Sequence, residues 1–158
     1  MPAKNFLAFD LGAESGRAVL GTLDGNRLSL AEKHRFLNPT GRMLGYLHWN
    51  VLAQWEELKT GLRKSAGTTL DGIGVDTWGV DFGLLDRDGQ LIGQPFHYRD
   101  TRTDGVMERT FARLPREQIF QATGLQFMQL NTLFQLLAMV ESSSAALEHA
   151  DSMLFMPD

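Results

Sequence analysis

Two short apolar runs, NFLAFD at 5–10 and RAVLGTL at 17–23, are separated by a brief gap that contains Gly12 and Gly16. Runs of that length are strands, and so short a connection leaves room only for a turn, so the chain opens as strand, glycine turn and second strand. Asp24-Gly25 then marks a hairpin. Leu28, Leu30, Glu32, His34 and Phe36 alternate with their neighbours at period two and complete a β-meander. At Asn50, a helix N-cap residue, the period changes to 3.6: Val51, Trp55, Leu58 and Leu62 fall on one face, and Gly67 closes the helix. Gly72 to Asp76 reads as a buried strand. VDFGLLD and LIGQPFHY form a hairpin around the turn DRDG. Helices follow at about 103–114 and 117–122, separated by Pro115 and stopped by Gly124. Another helix starts after Asn131, with Leu133, Leu136, Leu137 and Val140 on one side. Ser142 to Ser144 make a short connection, and Ser152 to Met156 is a last strand.

This order, βββαβ followed by a hairpin, helices and a strand, predicts a mixed α/β sheet. It is antiparallel where hairpins join it and parallel where a helix crosses over. A sheet that ends on its newest buried strand exposes apolar surface, which leaves self-association through that strand open.

With 158 residues, 43% of them hydrophobic, the chain has the size of one domain and enough apolar mass for a core. It has no cysteine, which excludes disulfides and thiolate chemistry and fits a cytoplasmic location. The N-terminal run FLAF is closed by Asp10 before a signal peptide or membrane span could form, so no membrane association is expected. Net charge is −4 with Lys and Arg scattered, so nucleic acid is not an expected partner. The four histidines are isolated, and no zinc or iron site is expected.

The segment Asp10-Leu11-Gly12-Ala13-Glu14-Ser15-Gly16-Arg17 puts a carboxylate at a strand end and a small-residue turn after it. Gly12 and Gly16 let backbone N–H groups approach a phosphate, the Ser15 hydroxyl adds a donor and Arg17 a positive charge. Asp10 would face a nucleotide-bound magnesium through water. There is no GK[ST] and no GxGxxG opening a helix, which sets aside the two better-known glycine loops. The same residues also suit an ordinary hairpin turn.

A second constellation, GIGVDTWGVDF at 72–82, places Asp76 at a strand end, Trp78 and Gly79 in the next turn, and Asp81 just beyond. An indole face, carboxylates and bare glycine backbone are what a polyol site uses. Equally, Trp78 suits a half-buried core position, Asp76 a turn cap and Asp81 a solvent-facing strand position. Two weaker clusters, Tyr98 to Arg102 and Gly124-Leu125-Gln126 with Asn131, could line a cleft or simply flank helices.

Taken in order, DLGAESGR, HRF, GYLHWNV, GIGVDTWGVDFGLLDRDG, YRDTRT, IFQATGLQF, NTLFQL and LFMPD resemble the N-terminal portion of the FGGY carbohydrate kinase family across all 158 residues. The resemblance implies an actin-like ATPase, ribonuclease-H-like α/β fold. Residues 1–158 would be the N-terminal part of the first kinase domain, incomplete at its C-terminal end, with the second domain absent. It also implies transfer of the ATP γ-phosphoryl group to the 1-hydroxyl of L-rhamnulose or a similar ketose, with Mg2+. By the family pattern Ala13, Glu14, Ser15, Gly16 and Arg17 lie at the ATP phosphates and Asp10 at the metal. The same pattern puts Gly79 with Trp78 at the sugar, and Asp76 and Tyr98 are the further candidates for substrate binding. Family members commonly carry serine where this chain has Glu14, and the family's catalytic aspartate belongs to a later His-Asp-Thr segment that does not occur here. The 158 residues alone are therefore expected to be inactive. The competing readings are an FGGY kinase for another ketose or polyol, and a non-catalytic module that binds nucleotide or sugar.

Overall fold

The computed structural model describes residues 2–158. In chain order the elements are β1 (Lys4–Leu11), β2 (Ser15–Asp24), β3 (Arg27–Leu37), β4 (Thr40–Met43), β5 (Tyr46–Trp49), α1 (Val51–Lys64), β6 (Gly72–Thr77), β7 (Phe82–Leu85), a single 3-10 turn (Thr101–Thr103), α2 (Val106–Arg113), α3 (Arg116–Thr123), α4 (Thr132–Glu141), α5 (Ala145–His149) and β8 (Ser152–Phe155). They form two compact units. The first comprises the segment up to Thr40, Asn50–Gly79 and Met156–Asp158; the second comprises Gly41–Trp49 and Val80–Phe155.

In the first unit the sheet order is β3-β2-β1-β6, with β1 antiparallel to β2, β2 antiparallel to β3, and β1 parallel to β6. This is the mixed sheet expected from the βββαβ order. Alternation sends Leu7, Phe9, Leu11, Ala18 and Leu20 to one face, where Leu58 of α1 and Leu70 pack on Leu7, Phe9 and Ala18. Asn50 caps α1 as predicted, its Oδ1 accepting from Ala53 N at 3.1 Å.

The buried stripe of α1 differs from the predicted one. Gln54, Gly61 and Ser65 are buried alongside the half-buried Leu58, while Trp55 is 55% exposed. The reason is close approach, because a Cβ on Gly61 would stand 2.8 Å from both Ala18 Cβ and Phe9 Cε1. Only a bare helix position lets the axis come so near the sheet. β6 is also not the buried strand expected: it is the sheet edge, with Ile73 and Val75 57% and 46% exposed.

In the second unit β4 and β5 form a hairpin that the sequence reading did not separate, turning at Leu44 and Gly45, both with positive φ. The hairpin predicted around DRDG reduces to one bridge between Leu85 and Leu91, and β7 instead pairs antiparallel with β8. The final strand is therefore partly covered: Met153 and Phe155 pack with Phe82, Leu84 and Met139, and Leu154 stays 42% exposed. Val106, Phe134 and Ala138 form a second apolar cluster between α2 and α4. Pro115 separates α2 from α3, and Gly124 ends α3 at φ 65°, as predicted. On α4 the buried positions are Phe134, Gln135, Ala138 and Met139, and the predicted Leu133 and Val140 face out.

Gly61→Val should cost about 2 kcal/mol through overpacking against Phe9 and Ala18, despite valine's better helix propensity. Gly74→Ala, where a Cβ meets nothing within 4 Å, should be near neutral. Thermal unfolding of both variants checks this, and equal midpoints would contradict the packing account.

Candidate active site

β1 and β6 run parallel, so their C-terminal ends lie side by side, and the register pairs Asp10 with Asp76. The same row continues through Arg17 of β2 to Arg35 of β3. Neighbours in register share a face, so two carboxylates and two guanidinium groups line one end of the sheet on the face away from α1. Asp10 and Arg17 form an ion pair at 3.0 Å (Nε to Oδ2), with the two side chains 42% and 37% exposed. Arg35 pairs instead with Glu32 of its own strand, whose carboxyl lies below its ordinary range because it accepts from Arg35.

Between β1 and β2 the turn is closed by Gly12 N–H donating to Ser15 O at 3.0 Å. A Cβ on Gly12 would stand 2.9 Å from that oxygen, and one on Gly16 would enter the Phe36 ring, so both glycines are required by the fold itself. Two carbonyl oxygens of the turn are occupied: Gly12 O accepts from Asn38 Nδ2 at 2.7 Å and Glu14 O from Asn38 N at 2.9 Å. The amides of Ala13 and Glu14 make no hydrogen bond among the described residues, and the Glu14 side chain is exposed. A turn with bound carbonyls and available amides presents its positive ends outward, which suits an anion. Asn38, 6% exposed, escaped the sequence reading. A single Asn after a strand carries no pattern of its own.

At the end of β6, Asp76 and Gly79 are exposed and Trp78 is half-buried. Gly79 contrasts with Gly12 and Gly16, because its φ is not positive and a Cβ there would meet nothing within 4 Å. Neither backbone strain nor packing explains the missing side chain. Bare backbone at that position is available to a ligand.

Tyr98 belongs to the second unit. Its N–H donates to Asp81 Oδ2 at 3.1 Å, and Arg99 lies over its ring at 5.4 Å. Asp81, read from the sequence as solvent-facing or hydroxyl-binding, is fully buried. It also accepts from Trp49 Nε1 at 2.5 Å and from Gln135 Nε2 at 2.8 Å, so its charge is held by donors rather than offered to a ligand. Arg102 donates to Gln135 Oε1 and O at 2.7 and 3.0 Å and lies 4.1 Å over the Phe96 ring. Burial lowers the Arg102 pKa from its ordinary value, and Asp100 and Asp81 oppose that shift. Asp100 accepts from Leu47 N and Arg102 N. Asp100, Thr103 and the half-buried Arg102 of YRDTRT thus form a hydrogen-bonded scaffold, while Arg99 and Thr101 are exposed. In the other weak cluster, Asn131 accepts from Met128 N and donates to Gln126 O, holding its own loop.

His97 stacks on Trp49 with centroids 4.0 Å apart, and its Nδ1 accepts from Arg99 N at 2.9 Å. Burial first and the Arg99 charge second push its pKa down from 6.5 to about 4, against a smaller opposite pull from Asp100.

The chain belongs to the FGGY family of carbohydrate kinases: residues 5–158 match the family's N-terminal domain. Within that family it is similar to rhamnulokinases, with 44% identity over 157 residues to that of Bacteroides thetaiotaomicron (98% of this chain, 32% of the relative) and 45% over 162 residues to that of Pectobacterium carotovorum (100% and 33%). The chain spans about a third of the length of these curated relatives. Solved structures share the fold at low identity. Gluconate kinase from Lactobacillus acidophilus superposes with TM-score 0.79 at 14% identity, covering 97% of this chain and 31% of that one. Xylulose kinase from the same organism superposes with TM-score 0.78 at 15%, covering 95% and 31%. The fold is the actin-like one of these sugar kinases.

The His97 shift has a sign that can be checked. The fold favours the neutral ring, so its contribution to stability is fully present above pH 6.5 and is lost as the pH falls toward 4. A proton NMR titration should show the His97 ring titrating near pH 4. A midpoint at 6 or above would contradict the buried, Arg99-facing placement.

Proposed function

We propose that this chain is the phosphate- and sugar-binding front of an ATP-dependent sugar kinase. The complete enzyme would transfer the γ-phosphoryl group to the 1-hydroxyl of L-rhamnulose, giving L-rhamnulose 1-phosphate. The observation that carries the reading is the juxtaposition, at one end of the sheet, of the register-paired Asp10 and Asp76 with a turn whose Ala13 and Glu14 amides are unoccupied. The rhamnulokinase similarity, which covers 98% and 100% of the chain in the two relatives, supports the substrate.

In this reading the turn amides and the Ser15 hydroxyl hold phosphate oxygens, and Arg17 turns its guanidinium from Asp10 toward them. Hard carboxylate oxygens suit magnesium, and two of them suit an ion that keeps much of its water. Asp10 and Asp76 fit that requirement, although no cluster of three such ligands occurs among the described residues. Magnesium bound there would neutralise the phosphate charge that builds up during transfer. Trp78 offers an apolar face to the sugar, and Gly79 offers bare backbone whose openness the fold does not explain. For Tyr98 the support is the match of its segment to the family. Asp81 is left out of the sugar-binding set, since its oxygens are occupied. The base that takes the sugar proton is proposed to lie outside these residues, which contain no His-Asp-Thr segment, and the 158 residues alone are proposed to be inactive. No helix among the described residues is long and apolar enough to cross a membrane.

The complete gene product should release ADP only when L-rhamnulose and magnesium are both present. Asp10→Asn should lower kcat/KM by about a hundredfold or more, since it removes a charge held for the transition state. ADP release with a different ketose or polyol in preference to L-rhamnulose would overturn the substrate, and no transfer to any sugar would overturn the reading.

A further inference from the structure

We infer that Asn38 is a positioning residue for nucleotide phosphate binding, and that through Gln54 it ties the phosphate turn to the first turns of α1. The inference rests on the reading of residues 12–16 as a phosphate turn and extends it to residues that touch no phosphate themselves.

Asn38 turns both of its nitrogens, backbone and side-chain, to this one turn. Its backbone N–H takes the Glu14 carbonyl and its side-chain Nδ2 takes the Gly12 carbonyl, at 2.9 and 2.7 Å. Its remaining polar atom, Oδ1, accepts from Gln54 Nε2 at 2.7 Å. Gln54 is 3% exposed on the buried stripe of α1, and Pro39, the residue after Asn38, is held to the start of α1 as well, its O accepting from Asn50 N at 3.0 Å. Asn38 and Gln54 together form a closed amide chain from helix to turn, shielded from water, where each bond is worth more than at the surface.

The consequence for the turn is directional. A peptide unit has one carbonyl and one amide on opposite sides, so binding the carbonyls of Gly12 and Glu14 inward turns the amides of the same two peptides, those of Ala13 and Ser15, away from Asn38. The Gly12 carbonyl belongs to the same peptide as the Ala13 amide, one of the two unoccupied donors. Without Asn38 Nδ2 that peptide would be free to rotate, and its oxygen could point toward an incoming phosphate and repel it. A residue that only filled space would not need three hydrogen bonds with this polarity.

Asn38→Asp tests the idea with little change of shape: it keeps the Oδ acceptor for Gln54 and the backbone donor to Glu14, and it replaces the donor to Gly12 with a carboxylate oxygen. Gln54→Met is the milder variant, removing the tie to α1 while leaving Asn38 itself in place. MgADP affinity of the complete gene product, measured by calorimetry for wild type and both variants, reads the effect without requiring turnover. Sugar affinity is measured alongside. The expected result is MgADP binding weakened about tenfold by Asn38→Asp and about threefold by Gln54→Met, the range for one lost and one loosened hydrogen bond, with sugar affinity unchanged. If Asn38→Asp fails to fold, Gln54→Met carries the test. Wild-type MgADP affinity in the folded variants, or equal losses for nucleotide and sugar, would overturn the positioning role while leaving the kinase reading intact. Absence of MgADP binding in the wild type would overturn the kinase reading and this inference with it.

Discussion

The parallel pairing of β1 with β6 governs the first unit. β3, which is parallel to β6 at the opposite edge of the sheet, cannot be joined to it by a tight turn, so after the meander the chain must leave the sheet, cross as α1 and re-enter beside β1. Re-entry in register puts Asp76 beside Asp10, although the two residues are far apart in sequence. β2 returns antiparallel from the same end, which places the Gly12–Ser15 turn and Arg17 next to those carboxylates. Two carboxylates, a guanidinium and the amide-bearing turn therefore meet at one end of the sheet because of topology, and the crossover helix must seat closely for the register to hold. Gly61 makes that seating possible.

A buried glutamine recurs in both units. Gln54 of α1 reaches Asn38 and, through it, the Gly12–Ser15 turn; Gln135 of α4 reaches Asp81 and the carbonyls of Val80 and Leu130. Each glutamine occupies a helix position that apolar periodicity would give to leucine. A carboxamide there can bind backbone that would otherwise be buried without a partner. The buried Asp81 depends on this arrangement, since a carboxylate with no access to water requires several donors at once.

The β1-β2-β3 meander, the start of α1 at Asn50 and the stops at Pro115 and Gly124 were legible because those residues sit where turns and caps require them, whereas α1 ends at its cap Ser65, short of the predicted Gly67. The glycine turn with Asp10 and the pair Trp78-Gly79 were legible because small residues beside acids and aromatics are uncommon combinations. The rotation of α1 and α4 was hidden, because Trp55, Leu133 and Val140 score as core and Gln54 and Gln135 as surface, whereas close approach at Gly61 and hydrogen bonding decide the matter. Asn38 and the structural use of Asp81 were hidden for a related reason: both act through partners distant in sequence. The partner of β7 was hidden because a local turn, DRDG, competed with the distant strand Ser152–Phe155.

If the Gly12–Ser15 turn and the Asp10–Asp76 pair receive a metal-bound nucleotide phosphate, a crystal structure of the complete protein with MgADP should show phosphate oxygens within hydrogen-bond distance of the Ala13 and Glu14 amides, the metal hydrated beside Asp10 and the Arg17 guanidinium turned from that carboxylate. Phosphates bound elsewhere, with the turn amides still unoccupied and the Asp10–Arg17 pair intact, would contradict that reading.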